Sequence, residues 1–177
     1  LIVWLLAAGT AHLVRSMKPT PESLVRYVDA HPMANASTAE RRQIIDKVVA
    51  QLNRLNFEER RAVRTSKSID GFFRNLTDEE RNDFLDRTLP EGFRQMMLAL
   101  NKMTPEKRKQ LVERALSDLD KANANGSDQA RRPIDQAQSQ KIIKQGMSAF
   151  YEEANADVKM DFAPVIEQMQ RTMQSLR

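Results

Sequence analysis

The sequence predicts an all-α protein: short capped helices in an irregular bundle, preceded by an apolar N-terminal helix. Three observations carry that expectation. Apolar residues recur at three- and four-residue spacings behind helix-start signals through most of the chain. No run of six residues alternates Val, Ile, Thr or aromatic side chains with polar ones, as a half-buried strand would. Of 177 residues only five are glycine and seven proline, which leaves few turn formers to join strands.

The first element is residues 1–14, LIVWLLAAGTAHLV, which hold no charged side chain and set Trp4 among Leu1, Leu5 and Leu6 before Arg15 and Lys18 open a polar region. A helix needs about 20 apolar residues to cross a bilayer. Because the chain begins at Leu rather than Met, the expectation is that residues 1–16 are the C-terminal part of a single membrane span begun upstream. Three other readings compete: a buried core helix, the apolar region of a signal peptide cleaved after Ala11, and a helix that docks on a partner. The contrast with the polar remainder favours the anchor. His12 is read as an interfacial residue near the headgroups and not as a ligand. Arg15, Lys18 and Arg26 favour a cytoplasmic domain by the positive-inside rule, whereas a more basic flank upstream would reverse it, so the side stays open.

Residues 17–36 read as a short helix and connector. Thr20 offers a capping side chain, Pro21 a first helical residue and Glu22 an acid at the positive end of the helix dipole, and the helix runs over residues 21–31 until Pro32 stops it. A larger helical domain follows over residues 37–121. Ser37 and Glu40 form a capping box, and Ile44, Ile45, Val48, Val49, Leu52 and Leu55 line one face of the clearest amphipathic helix.

One start signal then recurs as Leu55-Asn56-Phe57-Glu58-Glu59-Arg60, Leu76-Thr77-Asp78-Glu79-Glu80-Arg81 and Met103-Thr104-Pro105-Glu106-Lys107-Arg108. Each has an apolar residue before a cap, an acid two positions after the cap, an arginine four after it and an apolar residue seven after it (Val63, Phe84, Leu111). The separations differ, which argues against a strict solenoid of one fixed period. Capping of orphan amides and of the macrodipole accounts for the acids in full. The segment Leu76-Thr77-Asp78-Glu79-Glu80 also resembles the spaced Leu-Thr-x-x-Gln motif of periplasmic stress chaperones and metal sensors of the Spy and CpxP kind. Glu59, Glu80 and Lys107 stand where that motif has glutamine, only the three motif segments are involved, and no functional residue is carried across.

Thr88-Leu89-Pro90-Glu91-Gly92-Phe93 reads as the end of one helix and the start of another, with Phe72, Phe73, Phe84 and Phe93 clustering at the corner. The helix from Pro105 is expected to end near Lys121. Residues 122–136, ANANGSDQARRPIDQ, read as a polar linker or loop with turn formers and little to bury. Residues 137–177 read as a helical hairpin. Gly146 allows another helix close to its first arm, and Val158, Phe162, Ile166, Met169, Met173 and Leu176 stripe its second, with a kink at Pro164.

Chemistry-bearing patterns are few. There is no cysteine, which excludes disulfides, thiolate nucleophiles and cysteine metal sites. His12 and His31 lack partners at metal-ligand spacing, no phosphate-binding glycine loop or nucleophile elbow occurs, and neighbouring acids such as Glu152 and Glu153 point about 100° apart on a helix. The charge of +4 is spread over 28 bases and 24 acids, a mixed solvated surface and not a nucleic-acid stripe. The expectation is a membrane-anchored, non-catalytic interaction or structural protein, an accessory subunit of a larger membrane complex. No cofactor, nucleic acid or small-molecule substrate is expected and no metal ligands are marked, while a third reading, an enzyme with a metal held by carboxylates from separate helices, stays open. The alternative is an envelope stress sensor or chaperone with an outward-facing helical domain. Candidate membrane and partner contacts are Leu1, Trp4, Leu5, Leu6 and His12 in the apolar block, with Met160, Met169 and Met173 near the C-terminus, since methionine adapts to irregular surfaces.

Overall fold

The computed structural model describes residues 18–124 and 136–175. Among them are eight α-helices, one 3-10 turn and no strand: α1 (Pro21–Ala30), the turn Met33–Asn35, α2 (Thr38–Leu52), α3 (Phe57–Arg64), α4 (Lys67–Arg74), α5 (Asp78–Asn101), α6 (Pro105–Ala124), α7 (Gln136–Glu153) and α8 (Ala156–Ser175). The all-helical expectation therefore holds. The helices belong to two compact units, divided between Thr88 and Leu89. None of the described helices is long and apolar enough to cross a membrane, and the apolar block, residues 1–14, lies outside the described residues.

In the first unit the caps form as the sequence dictates. The Thr20 hydroxyl accepts from the Ser23 amide and the Ser23 hydroxyl accepts from the Thr20 amide, while Pro21 occupies the first turn of α1, where no amide partner is needed. Ser37 and Glu40 close the same reciprocal box on α2. These starts orient Leu24 and Val28 of α1 against Ile44, Ile45, Val48 and Val49 of α2. Leu55, Val63, Phe72, Leu76 and Phe84 complete the core. Leu24 and Leu55 are almost wholly enclosed, and each such side chain contributes about 1.5–3 kcal/mol over leaving it in water. Phe72 and Phe73 meet Phe84 edge-on at 5.9 and 6.0 Å.

Two sequence expectations fail here. Phe93 does not join that aromatic cluster; it belongs to the second unit, beside Gly146. Nor does the chain break at Thr88–Phe93, because α5 runs continuously from Asp78 to Asn101 with Pro90 inside it. Proline removes the amide that would bond the carbonyl of Asp86 and loosens the turn before it. Side chains meet the neighbouring carbonyls: Thr88 Oγ1 donates to Phe84 O (2.7 Å), Asn53 Nδ2 to Arg87 O (2.9 Å) and Arg60 Nη1 to Thr88 O (3.4 Å). Helix α4 was not foreseen at all. Its start is weakly marked, since Ser66 makes no side-chain cap bond.

The second unit packs α6 chiefly on α8. Met97 and Leu100 from the end of α5, Phe150 and Ala154 around the end of α7, and Val158 of α8 are buried, with Leu111, Phe162 and Ile166 against them. Asn101 ties the hairpin turn to α5: its Nδ2 donates to Glu153 O and its Oδ1 accepts from the Asn155 amide, both at 2.9 Å. Asn155 Oδ1 in turn accepts from the Val158 amide and caps α8. Gly146 brings α7 close to α5, where an added Cβ would lie 3.1 Å from the Phe93 ring. Helix α6 extends to Ala124, past the expected end, and residues 125–135 of the expected linker lie outside the described residues.

Candidate interaction surfaces

The recurrent start motif sets the electrostatics of both units. The acids three positions after the cap close the first two starts, Glu59 accepting from the Asn56 amide (2.7 Å) and Glu80 from the Thr77 amide (2.8 Å), while Glu58 and Glu79 beside them are exposed. The bonds hold the Glu59 and Glu80 carboxyls below the usual glutamate range. For Glu59 the backbone bond is the main cause, followed by Lys18, and for Glu80 the Arg41 guanidinium is the main cause. Glu40 is lowered by the hydroxyl and amide of Ser37, and Glu106 by backbone and Thr104 bonds at the start of α6. Carboxylates fixed this way are poor general bases.

The arginine of the motif has a role that the sequence reading missed. Arg81 Nη2 donates to Leu76 O (3.0 Å) and Arg108 Nη1 to Met103 O (2.7 Å), in each case the carbonyl five residues back, on the apolar residue that precedes the cap. Arg81 also lies over the Phe73 ring, 5.5 Å from its centroid, and Arg108 Nε reaches Asp161 at 2.6 Å. Arg60 turns instead to Asn53 Oδ1 and Thr88 O. The fixed spacing of apolar residue, cap and arginine was the available signal. A second hub, Arg41, has no such signature. It forks onto Glu80 through Nε and Nη2, and also donates to Met33 O and Asn75 O.

Of the sequence-predicted contact residues, Leu1, Trp4, Leu5, Leu6 and His12 lie outside the described residues, as does the side chain of Met173. Met160 is 69% exposed and Met169 is half-buried. Nine residues of helix turn side chains by about 180°, so these two methionines face opposite ways and form no common surface. Met169 follows the stripe of Val158, Phe162 and Ile166 toward the core, while Met160 points out. Tyr151, 54% exposed, is the other exposed large hydrophobic residue among those described. The two flank the turn at Ala154 and Asn155, where Lys159 Nζ donates to Tyr151 O (2.8 Å) and Phe150 supports the Tyr151 ring edge-on.

Concave surfaces are modest. A groove of about 200 Å³ is lined by Pro90, Glu91, Arg94, Gln145, Ser148 and Glu152 among others, but its charged groups are engaged locally, Arg94 with Glu91 and Ser148 with Glu152. A second hollow lies along α6 beside Gln110, Glu113, Arg114, Ser117, Asp118 and Lys121, a polar stripe at helical spacing. Among the described residues no three His, Asp or Glu side chains converge to hold a metal ion. His31 stacks on Tyr27 with centroids 4.2 Å apart, and its Nδ1 lies 2.7 Å from Tyr27 O. A carbonyl only accepts, so that nitrogen carries the proton. No protein-family model, no curated protein and no solved structure matches this chain.

Proposed function

We propose that this chain is a membrane-anchored, non-catalytic helical interaction protein, an accessory subunit that holds its helical body beside a membrane complex. The observation that carries the reading is that Tyr151 and Met160, the exposed large hydrophobic residues among those described, stand on the two helices that meet at a turn braced by Asn101 and Asn155. An exposed tyrosine on a braced backbone is the kind of residue on which interface energy concentrates, and methionine adapts its shape to the partner beside it. The uncharged block of residues 1–14 supplies the tether, and the capped acids supply surface charge without a reactive centre.

Two measurements test it on the full chain in its native membranes. The protein should stay in the pellet through alkaline extraction, and a photocrosslinker at position 160 should give one discrete adduct that Tyr151→Ser abolishes while the same probe at Ser117 gives none. Release into the supernatant, or equal labelling at both positions, overturns the proposal. The alternative, an envelope stress sensor or chaperone with an outward-facing domain, calls for a broad apolar face, which Tyr151 and Met160 alone do not supply. Suppression of client aggregation by the chain, lost in the Tyr151→Ser/Met160→Ser variant, would favour it instead.

A further inference from the structure

We propose that the end of α3 and the start of α4, carrying Arg61, Arg64 and Lys67, rests on an anionic phospholipid surface. The inference builds on the membrane tether proposed above and adds a lipid-facing side to the first unit. It starts from charge that the fold leaves uncommitted. Arg41, Arg74, Arg81 and Arg87 have carboxylate partners in this unit, while exposed Arg26 on α1 and Arg42 and Lys47 on α2 have none among the described residues and lie on other helices than the cluster at the α3–α4 junction. Arg61, Arg64 and Lys67 are exposed, with no hydrogen-bond or ion-pair partner among the described residues. Three positions on a helix turn side chains by about 300°, so Arg61 and Arg64 share one strip of α3. Lys67 follows two residues after that helix ends. The nearby acids do not neutralise the strip. Glu59 is held by the Asn56 amide and Lys18, and Asp70 by Arg74. Exposed Glu58 stands three residues before Arg61, the same spacing as Arg61 to Arg64, so it shares the strip and leaves a net charge of +2 over Glu58, Arg61, Arg64 and Lys67.

Chain length supplies the second argument. Lys18 Nζ lies 2.9 Å from Glu59 Oε1, and buried Pro19 with the Thr20 cap holds the chain beside the first turn of α3. Only Arg15, Ser16 and Met17 separate Lys18 from the apolar block. Four residue steps reach at most about 14 Å. From Glu59 to Arg64 the helix advances only about 7.5 Å. If residues 1–14 end in a bilayer, α3 has to sit close to its headgroups, within the range where exposed cations are drawn to anionic lipid. Helix α1 packs on both α3 and α4, so their other faces are free to turn outward.

The absence of cysteine allows a clean test. The full chain with Ala62→Cys, labelled with a fluorophore at that single thiol, is reconstituted into vesicles of phosphatidylcholine alone or with about one third phosphatidylserine, each containing a headgroup-linked quencher. Quenching should be several-fold greater with phosphatidylserine and should fall with added salt. Arg61→Gln/Arg64→Gln/Lys67→Gln should lower the anionic preference by about ten-fold or more, whereas Arg61→Lys/Arg64→Lys should keep it. Equal quenching in both vesicles, with the protein still resistant to alkaline extraction, overturns this inference and leaves the tether standing. Binding to anionic vesicles that alkaline extraction reverses supports the lipid-facing patch and overturns the tether. Failure to associate with either vesicle overturns both.

Discussion

Arg41 makes four hydrogen bonds that join three segments distant in sequence: two to Glu80 at the start of α5, one to Met33 O in the 3-10 turn and one to Asn75 O after α4. The pair is largely shielded from water, with side chains 17% and 20% exposed, so its loss leaves Glu80 without its guanidinium, takes a donor from Asn75 O and leaves Met33 O with the long Ala36 amide bond. Arg41→Ala should lower the stability of the first unit by about 2–3 kcal/mol, read from the urea midpoint. Arg41→Lys should recover only part of that, because an ammonium cannot fork onto a carboxylate and reach two carbonyls. A loss under about 0.5 kcal/mol for Arg41→Ala would remove the hub role. Of such residue-scale features, the acids were legible in the sequence and the arginines were not. An acid acts on an amide three residues away, within the window that spacing reveals. Arg41 acts across 34 and 39 residues, which no local pattern encodes.

Helices α1 and α2 could be read directly from the sequence because a cap followed by proline marks the start of the first, and a capping box followed by an apolar face marks the second. Helix α4 escaped notice because Ile69 stands where a capping-box acid would mark the start and Gly71 interrupts its eight residues, and the break at Pro90 was misread because donors that meet the local carbonyls come from Asn53 and Arg60, far back in the chain. Two glycines inside helices test the packing of these elements. Gly71 in α4 has open space where a Cβ would go, so Gly71→Ala should stabilise by about 0.5–1 kcal/mol through helix propensity alone. Gly146 in α7 faces the Phe93 ring at 3.1 and 3.2 Å, so the same substitution has to displace a ring and should give no gain or a loss. Thermal midpoints of the two variants check this, and equal stabilisation of both would show that Phe93 yields freely.

The caps also set the response to acid. Glu40, Glu59, Glu80 and Glu106 all have folded-state pKa values below the ordinary glutamate value of 4.5. A carboxyl lowered on folding stabilises the native state fully above its unfolded pKa, and that contribution fades as the pH falls through the folded one. Stability should therefore be level near neutrality and decline below about pH 4.5. Glu80→Gln should be less stable at neutral pH and lose less on acidification, as followed by urea denaturation at several pH values. An acid decline as steep as the parent's would show that Glu80 contributes nothing to it.

For the molecule as a whole, the expectation of an accessory role joins two features at different places in the chain, the apolar block at its start and the exposed pair at the α7–α8 turn. The pair was legible only by half. Met160 drew notice as a methionine, but nothing in the spacing separates Tyr151 from its neighbour Phe150, and only the fold shows that Tyr151 points out while Phe150 points in. The block is different: its meaning rests on what the bilayer tolerates. A charged side chain near the centre of a spanning helix costs about 2.5–3.5 kcal/mol on insertion scales. Leu5→Lys/Leu6→Lys places two such charges within one turn beside Trp4, for a combined cost of about 5–7 kcal/mol. If the block is a tether, the variant should move from the membrane pellet to the supernatant on alkaline extraction, while its helical circular dichroism and urea midpoint stay at parental values. If it is a core helix, the two charges would lower the urea midpoint as well. Measuring extraction and stability on the same variant separates the two readings, because the bilayer registers the charges only in the first and the protein core only in the second.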